Sequence, residues 1–196
     1  ERLFRRLGID ASRIRALPQL HSRRIVRVGP EEPAAVGGAD GLITDCPSTV
    51  LSITVGDCLP IFLVHRRGRA FALLHSGWRG TGIVSDAVRL MESEYAAPPR
   101  ELAAVLGPCI GACCYAVERQ RYEEFRSRFG FQAVRTFEGR FFLDLKEANL
   151  GLLAGCGVEE VHSCQECTAC TPWLASYRRD GPNFVRMLAF IGGKES

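Results

Sequence analysis

Gly56-Asp57-Cys58 and His75-Ser76-Gly77-Trp78-Arg79-Gly80 are the stretches of this 196-residue chain whose side chains could do chemistry together. His75 falls at the end of a predicted strand, and Cys58 at the end of the strand beside it. A thiol, an imidazole and a guanidinium therefore meet at one mouth of a sheet. Cysteine sulfur and histidine nitrogen are preferred ligands of zinc, and of copper in softer sites. The same Cys58 and His75, with Asp57 adjacent, also compose a thiolate–imidazolium nucleophile. Residue types alone leave both readings open.

A metal site needs a third donor, and the chain has four histidines. His21 follows the apolar run Leu17-Pro18-Gln19-Leu20 on a predicted strand, a setting in which a lone histidine is more often a core residue. His65 sits at a hairpin turn and is expected to be solvent-exposed, and His162 ends a late strand beside Cys164. Three protein ligands with the fourth position open is the catalytic form of a zinc site.

Cys164, Cys167 and Cys170 form two overlapping C-x-x-C spacings, and Cys113-Cys114 lies elsewhere. That set suits a structural zinc or an iron–sulfur cluster if Cys113-Cys114 supplies the missing thiolate; buried or loop thiols are the alternative. The glycine-rich Gly107–Tyr115 stretch lacks the P-loop ending and the dinucleotide spacing, so it is either a tight strand–helix turn or an anion cradle. Asp144 reads as the N-cap of a helix that Asn149 lines.

The elements that must position these residues follow from periodicity. Strands are predicted at Thr49–Val55, Pro60–Val64, Ala70–Leu74, Ala103–Leu106, Phe141–Leu143, Val158–His162, Trp173–Tyr177 and Phe184–Ile191. Leu17–Val28 is extended, Arg66–Arg69 is a hairpin turn, and residues 30–38 form a loop. Apolar residues recur at helical spacing over Thr81–Tyr95, with further helices at Arg2–Leu7, Glu118–Phe129 and Lys146–Ala154. Irregular alternation with hairpins predicts a mixed α/β (α+β) class: layered mixed sheets with flanking helices, in one domain over residues 1–196.

Composition bounds the function. A net charge of +3 with dispersed arginines gives no basic stripe for nucleic acid. No apolar run reaches the ~18 residues of a membrane span, and no signal-peptide pattern is present, so the expectation is a cytoplasmic protein. The opening on Glu1 suggests a trimmed or partly ordered N-terminus. Nine cysteines are too sparse for a disulfide scaffold and are expected as thiols.

The motifs in order resemble the bacterial laccase-domain (polyphenol oxidase-like) family of purine nucleoside enzymes. They run from Gln19-Leu20-His21-Ser22 and Ala39-Asp40-Gly41 through Asp57-Cys58-Leu59-Pro60 and His75–Gly80. They continue in Gly107-Pro108-Cys109-Ile110-Gly111, Cys113-Cys114-Tyr115, Cys167-Thr168, Ser176–Asp180 and Arg186-Met187.

The resemblance implies metal ligands His21, Cys58 and His75, with zinc as the ion and copper also possible. It implies phosphorolysis of adenosine, inosine, guanosine and methylthioadenosine, deamination of adenosine, and a fold like the catalytic domain of cytotoxic necrotizing factors. In this scheme Cys58, His75, Asp57 and Arg79 are catalytic, and Asp40, Ser76, Trp78 and Arg79 bind substrate. Asp57 or Asp40 would shuttle protons, Arg79 hold phosphate, and Trp78 stack on the purine or plug the core. Gly56 stands where the family has alanine, Ala116 where it has glutamate, and the family's N-terminal Thr-Arg-x-Gly-Gly segment lies outside these residues. A cysteine hydrolase using Cys58 and His75 is the alternative class. A copper phenol oxidase is disfavoured, because four histidines are too few for a multicopper centre.

Overall fold

Along Phe71–Ser76 the side chains of Ala72 and Leu74 enter one apolar cluster and those of Phe71 and Leu73 another, and this two-residue alternation sets the layers. The computed structural model describes residues 2–29, 37–68 and 70–192. In chain order these form α1 (Arg2–Arg6), β1 (Ile14–Arg15), β2 (Ile25–Arg27), β3 (Gly41–Thr44), β4 (Val50–Val55), β5 (Leu59–His65) and β6 (Phe71–Ser76). There follow α2 (Ile83–Tyr95), β7 (Leu102–Leu106), β8 (Ala116–Val117), α3 (Arg119–Phe129), β9 (Val134–Phe137) and β10 (Arg140–Leu143). The chain closes with α4 (Leu145–Gly155), β11 (Glu160–Ser163), α5 (Tyr177–Asp180) and β12 (Met187–Gly192).

A six-stranded mixed sheet in the order β11-β7-β5-β6-β3-β2 is the centre of the molecule. On one face, Ile43, Ile61, Leu63, Ala72 and Leu74 pack against Ile83, Val84, Ala87 and Met91 of α2 and Leu153 of α4. On the other, Leu42, Leu73 and Phe62 pack against Leu51, Ile53, Val55 and Ala189 of a three-stranded sheet, β1-β4-β12. A third sheet, β8-β10-β9, closes a separate cluster with Tyr122 and Phe125 of α3. The mixed α+β class read from the sequence is the one observed.

The β5–β6 hairpin pairs Leu59 with Ser76 and Pro60 with His75, so the segments bearing Cys58 and His75 end side by side. Two expectations are corrected, and one element is added. Trp173–Tyr177 is not a strand: it is a turn with Trp173 83% exposed, leading into α5 where the Ser176 hydroxyl caps Arg179 N–H. Val134–Phe137, where the sequence predicts no element, is β9 of a hairpin whose turn residues Glu138 and Gly139 both take positive φ (48° and 71°). His65, expected in solvent, is fully buried, with Nε2 3.1 Å from the Glu101 carboxylate. The loop read at 30–38 lies, for residues 30–36, outside the described residues, as does Arg69 of the predicted turn. No helix among the described residues is long and apolar enough to cross a membrane.

Gly41 leaves the space that Leu74, Ile25 and Ile83 fill: a Cβ there would stand 3.0, 2.8 and 3.2 Å from their methyl and methylene carbons. Leu74 is fully buried at this junction, next to the chain positions that build the site. Leu74→Ala is expected to cost about 2–5 kcal/mol of stability, through lost transfer energy and the cavity left behind. A urea unfolding midpoint lowered at unchanged slope is the measurement.

Candidate metal centre

The register of β3 against β6 pairs Gly41 with Leu74, which sets Asp40 across from His75, and the His75 N–H donates to the Asp40 carbonyl at 2.7 Å. The side chains meet as well: His75 Nδ1 lies 2.8 Å from Asp40 Oδ1. Asp40 is fully buried. Its carboxylate also accepts N–H bonds from Leu20 (3.1 Å), His21 (3.0 Å) and Ser22 (2.7 Å), and the Ser22 hydroxyl at 2.8 Å. Burial pushes the Asp40 carboxyl up, but the donors from Ser22, His75 and Leu20 outweigh it and hold the group below the usual carboxylate range. An ionised Asp40 makes His75 Nδ1 the donor and leaves Nε2 with its lone pair.

Three successive N–H groups on one carboxylate curl residues 20–22 into a bend, and His21 takes φ of +56°. A left-handed non-glycine costs roughly 1–2 kcal/mol. His21 is therefore not the strand residue its apolar neighbours suggested. The bend brings its ring to 4.9 Å from that of His75, edge to face.

Cys58 ends the Gly56–Cys58 turn between β4 and β5. One donor atom each from His21, Cys58 and His75 lies within 4.8 Å of the others. Gly77 makes room: a Cβ there would stand 2.9 Å from Cys58 Sγ and 3.6 Å from the His21 ring. Burial first, then the charges of Asp57 and Asp40, push the Cys58 thiol up to about 12. A nucleophilic cysteine needs the opposite shift, whereas a metal takes such a thiol by replacing its proton. Burial likewise lowers the pKa of His75, against the pull of Asp40, and keeps the ring in its neutral, ligating form. Two imidazoles and one thiol, with a carboxylate behind one histidine, fit a zinc or copper ion with one coordination position left over.

Above these donors lies a cavity of about 810 Å³, within the size of small-molecule sites. Its wall includes Asp57 and Trp78, together with Tyr115, Arg121, Tyr177, Arg178, Phe184 and Arg186. Asp57 accepts from the Thr168 hydroxyl (2.6 Å) and the Arg178 N–H (2.7 Å). Arg178 donates to the carbonyls of Cys114 and Ala116. Arg121 stands over the Trp78 ring at 4.6 Å and Arg186 over Phe184 at 5.4 Å. Gly56 accommodates Phe184, since a Cβ there would come within 2.6 Å of that ring.

Three of the substrate-binding expectations fall off this wall. Asp40 sits behind His75, off the cavity wall, and its oxygens accept from the His21, Leu20 and Ser22 N–H groups, the Ser22 hydroxyl and His75 Nδ1. Ser76 is fully buried and donates to Asn149 at 3.4 Å. Arg79 is on the exposed turn, stacked 5.2 Å over Trp78. The sequence singled out none of Tyr115, Arg121, Tyr177, Arg178, Phe184 and Arg186 for this cavity, because the segments carrying them meet there only through tertiary packing.

The glycine-rich loop is a tight turn and not an anion cradle. Its Gly107, Ile110 and Gly111 N–H groups donate to Pro60 O, Asp57 O and Cys167 Sγ. Asp144 caps α4 as expected, accepting from Glu147 N–H at 3.0 Å.

Residues 1–194 match the family described as multi-copper polyphenol oxidoreductase laccase. The chain is 38% identical over 170 residues to the purine nucleoside phosphorylase YlmD of Geobacillus stearothermophilus, covering 82% of this chain and 62% of that one. It is 28% identical to mouse purine nucleoside phosphorylase LACC1, covering 99% of this chain and 46% of that protein. The chain thus spans about half to three fifths of these relatives' length. The crystal structure of Geobacillus stearothermophilus YlmD superposes with a TM-score of 0.92 at 34% identity, over 99% of this chain and 78% of that one. Bacillus licheniformis YfiH superposes at 0.90 and 30%, over 98% and 79%.

Two outcomes follow from the geometry. Gly77→Ala pushes Cys58 Sγ away from the histidines and is expected to lower zinc retention on dialysis against a chelator, with the fold intact by circular dichroism. Asp40→Asn replaces acceptor lone pairs with a donor facing N–H groups, and is expected to weaken zinc affinity about 10- to 100-fold. Competition with a chromogenic chelator measures it.

Proposed function

We propose that this chain, which belongs to the family described as multi-copper polyphenol oxidoreductase laccase, is a zinc-dependent purine nucleoside phosphorylase forming a single catalytic domain. The observation that carries this reading is the convergence of His21, Cys58 and His75 at a cavity walled by aromatic rings and arginines. The relatives' name, purine nucleoside phosphorylase, agrees with it. One ion, and not several, is what these donors can hold: His65 is buried against Glu101 and His162 is exposed on β11. That donor count also speaks against a multicopper phenol oxidase, while leaving copper as the alternative ion.

His21, Cys58 and His75 would hold zinc, with His75 Nδ1 fixed by Asp40. When bound, the ion supplies Lewis acidity and lowers the pKa of a water toward ~7, the chemistry that hydrolytic deamination of adenosine requires. Tyr115, Tyr177 and Phe184 offer ring faces for a purine, and Trp78 supports Arg121. In phosphorolysis a phosphate oxygen bonds to the ribose anomeric carbon as the bond to the purine nitrogen breaks, giving ribose 1-phosphate and free base. Arg121 and Arg186 would hold the phosphate and offset its charge, with Arg79 extending the cationic end outward. Asp57 is the carboxylate of the wall and takes the proton-transfer role.

The experiment is incubation of the full chain with inosine and phosphate, followed by chromatography. Hypoxanthine and ribose 1-phosphate are expected, with no base released when phosphate is omitted. Cys58→Ala is expected to lose the zinc of this His21–Cys58–His75 site and turnover together; turnover surviving in that variant overturns the reading. Arg121→Ala is expected to raise the KM for phosphate roughly 10- to 100-fold, the worth of one or two charged hydrogen bonds. Adenosine in place of inosine reads deamination by the appearance of inosine.

A further inference from the structure

We propose that Cys113, Cys114, Cys167 and Cys170 form a second, structural zinc site. These four sulfurs all lie within 4.8 Å of one another. Cys170 Sγ is 3.7 Å from that of Cys113 and 3.3 Å from that of Cys114. A disulfide requires about 2.05 Å, so neither pair is bonded. A zinc ion bound to four thiolates at about 2.3 Å spaces them about 3.8 Å apart as a tetrahedron. An iron–sulfur cluster holds several metal ions and sulfides between its thiolates, and sulfurs this close together leave room for a single ion.

Two loops deliver the ligands, and each has the backbone of a ligand turn. The N–H groups of Cys170 and Thr171 both donate to the Cys167 carbonyl, at 3.1 and 3.0 Å, which folds the C-x-x-C onto one side. The Gly111 N–H donates to Cys167 Sγ at 3.2 Å, a bond that favours sulfur as thiolate. A side chain at Gly111 would also crowd the sulfurs, since a Cβ would come within 3.3 Å of Cys113 Sγ and of Cys167 Cβ. The loops are joined beside the sulfurs by backbone pairing, an isolated parallel β-bridge of Cys109 with Cys167 in which the Thr168 N–H donates to the Cys109 carbonyl at 3.0 Å. Cys164 stands outside the set and donates to Glu166 at 2.6 Å. The overlapping C-x-x-C spacing in the sequence therefore resolves into one C-x-x-C plus the adjacent pair.

The site would brace the cavity. Thr168, between two of the ligands, donates to Asp57 at 2.6 Å. The Cys114 carbonyl accepts from Arg178, whose own N–H holds the other Asp57 oxygen. An ion tying residues 113–114 to 167–170 thus fixes both partners of the wall carboxylate.

Elemental analysis of the full chain, produced with zinc in the medium, tests this without reference to nucleoside turnover. The expected content is about two zinc ions per chain, falling to about one in Cys58→Ala and to about one in Cys113→Ser/Cys170→Ser. A cobalt titration of metal-stripped Cys58→Ala covers the case in which the double variant fails to fold. A strong sulfur-to-cobalt charge-transfer band that zinc abolishes is expected. Zinc that disappears entirely in Cys58→Ala overturns the proposal. So does iron in place of zinc, or an intact mass under denaturing conditions two hydrogens below that of the fully reduced chain, the mark of a Cys114–Cys170 disulfide.

Discussion

A carboxylate taken out of water destabilises a fold unless donors replace the water it loses, and Asp40 meets that requirement with five donors. They are the N–H groups of Leu20, His21 and Ser22, the Ser22 hydroxyl and His75 Nδ1. Because the five come from two separate segments, satisfying one buried charge also fixes the relation between a bend and a strand end. The bend carries His21 and the strand carries His75. The strain at His21 persists because relaxing it would strip N–H bonds from the same oxygens.

Cys58 reaches this pair by a different route. The β5–β6 hairpin brings the start of one strand beside the end of the other, so the turn before Leu59 and the turn after Ser76 share one edge. Close approach there depends on glycine: Gly77 against Cys58, and Gly80, whose Cβ would stand 2.8 Å from the Ser22 carbonyl. The Thr81 N–H and hydroxyl both bond the Gly77 carbonyl, at 2.8 and 2.9 Å, and pin that turn before α2 begins. The thiol is thereby held where burial first, and the nearby carboxylates second, raise its pKa, a setting suited to a cation and not to a free thiolate.

Local pattern made the scaffold legible. The alternation of β5 and β6, the spacing of Ile83, Val84, Ala87, Val88 and Met91, and the Asp144 cap each report a preference that short-range geometry satisfies. His75 and Cys58 were legible for the same reason, since a hairpin fixes both. His21 was legible as a residue but not as a conformation, because its φ is imposed by a carboxylate nineteen positions away. His65 misleads because a hairpin turn is normally wet, while here Glu101 at the edge of β7 receives its ring. Trp173–Tyr177 has strand-forming residues with no neighbouring strand to pair with, so turns and a capped helix prevail. The cavity wall gathers residues from turns, α3 and the segment before β12, and no spacing rule connects those.

How the arginines are held decides what the cavity can attract. Elsewhere several pair with carboxylates: Arg23 and Arg89 with Asp86, Arg126 with Glu123, Arg179 with Asp180. On the cavity wall, Arg178 spends its donors on two carbonyls, and Arg121 and Arg186 rest on ring faces. Stacking orients a guanidinium without neutralising it, and its in-plane N–H donors remain available. The carboxylate on the same wall, Asp57, is engaged by a hydroxyl and a backbone N–H, so it does not form an ion pair with those side chains. The result is a pocket whose fixed cations keep their charge and draw anions toward it, the condition that the proposed phosphate would need.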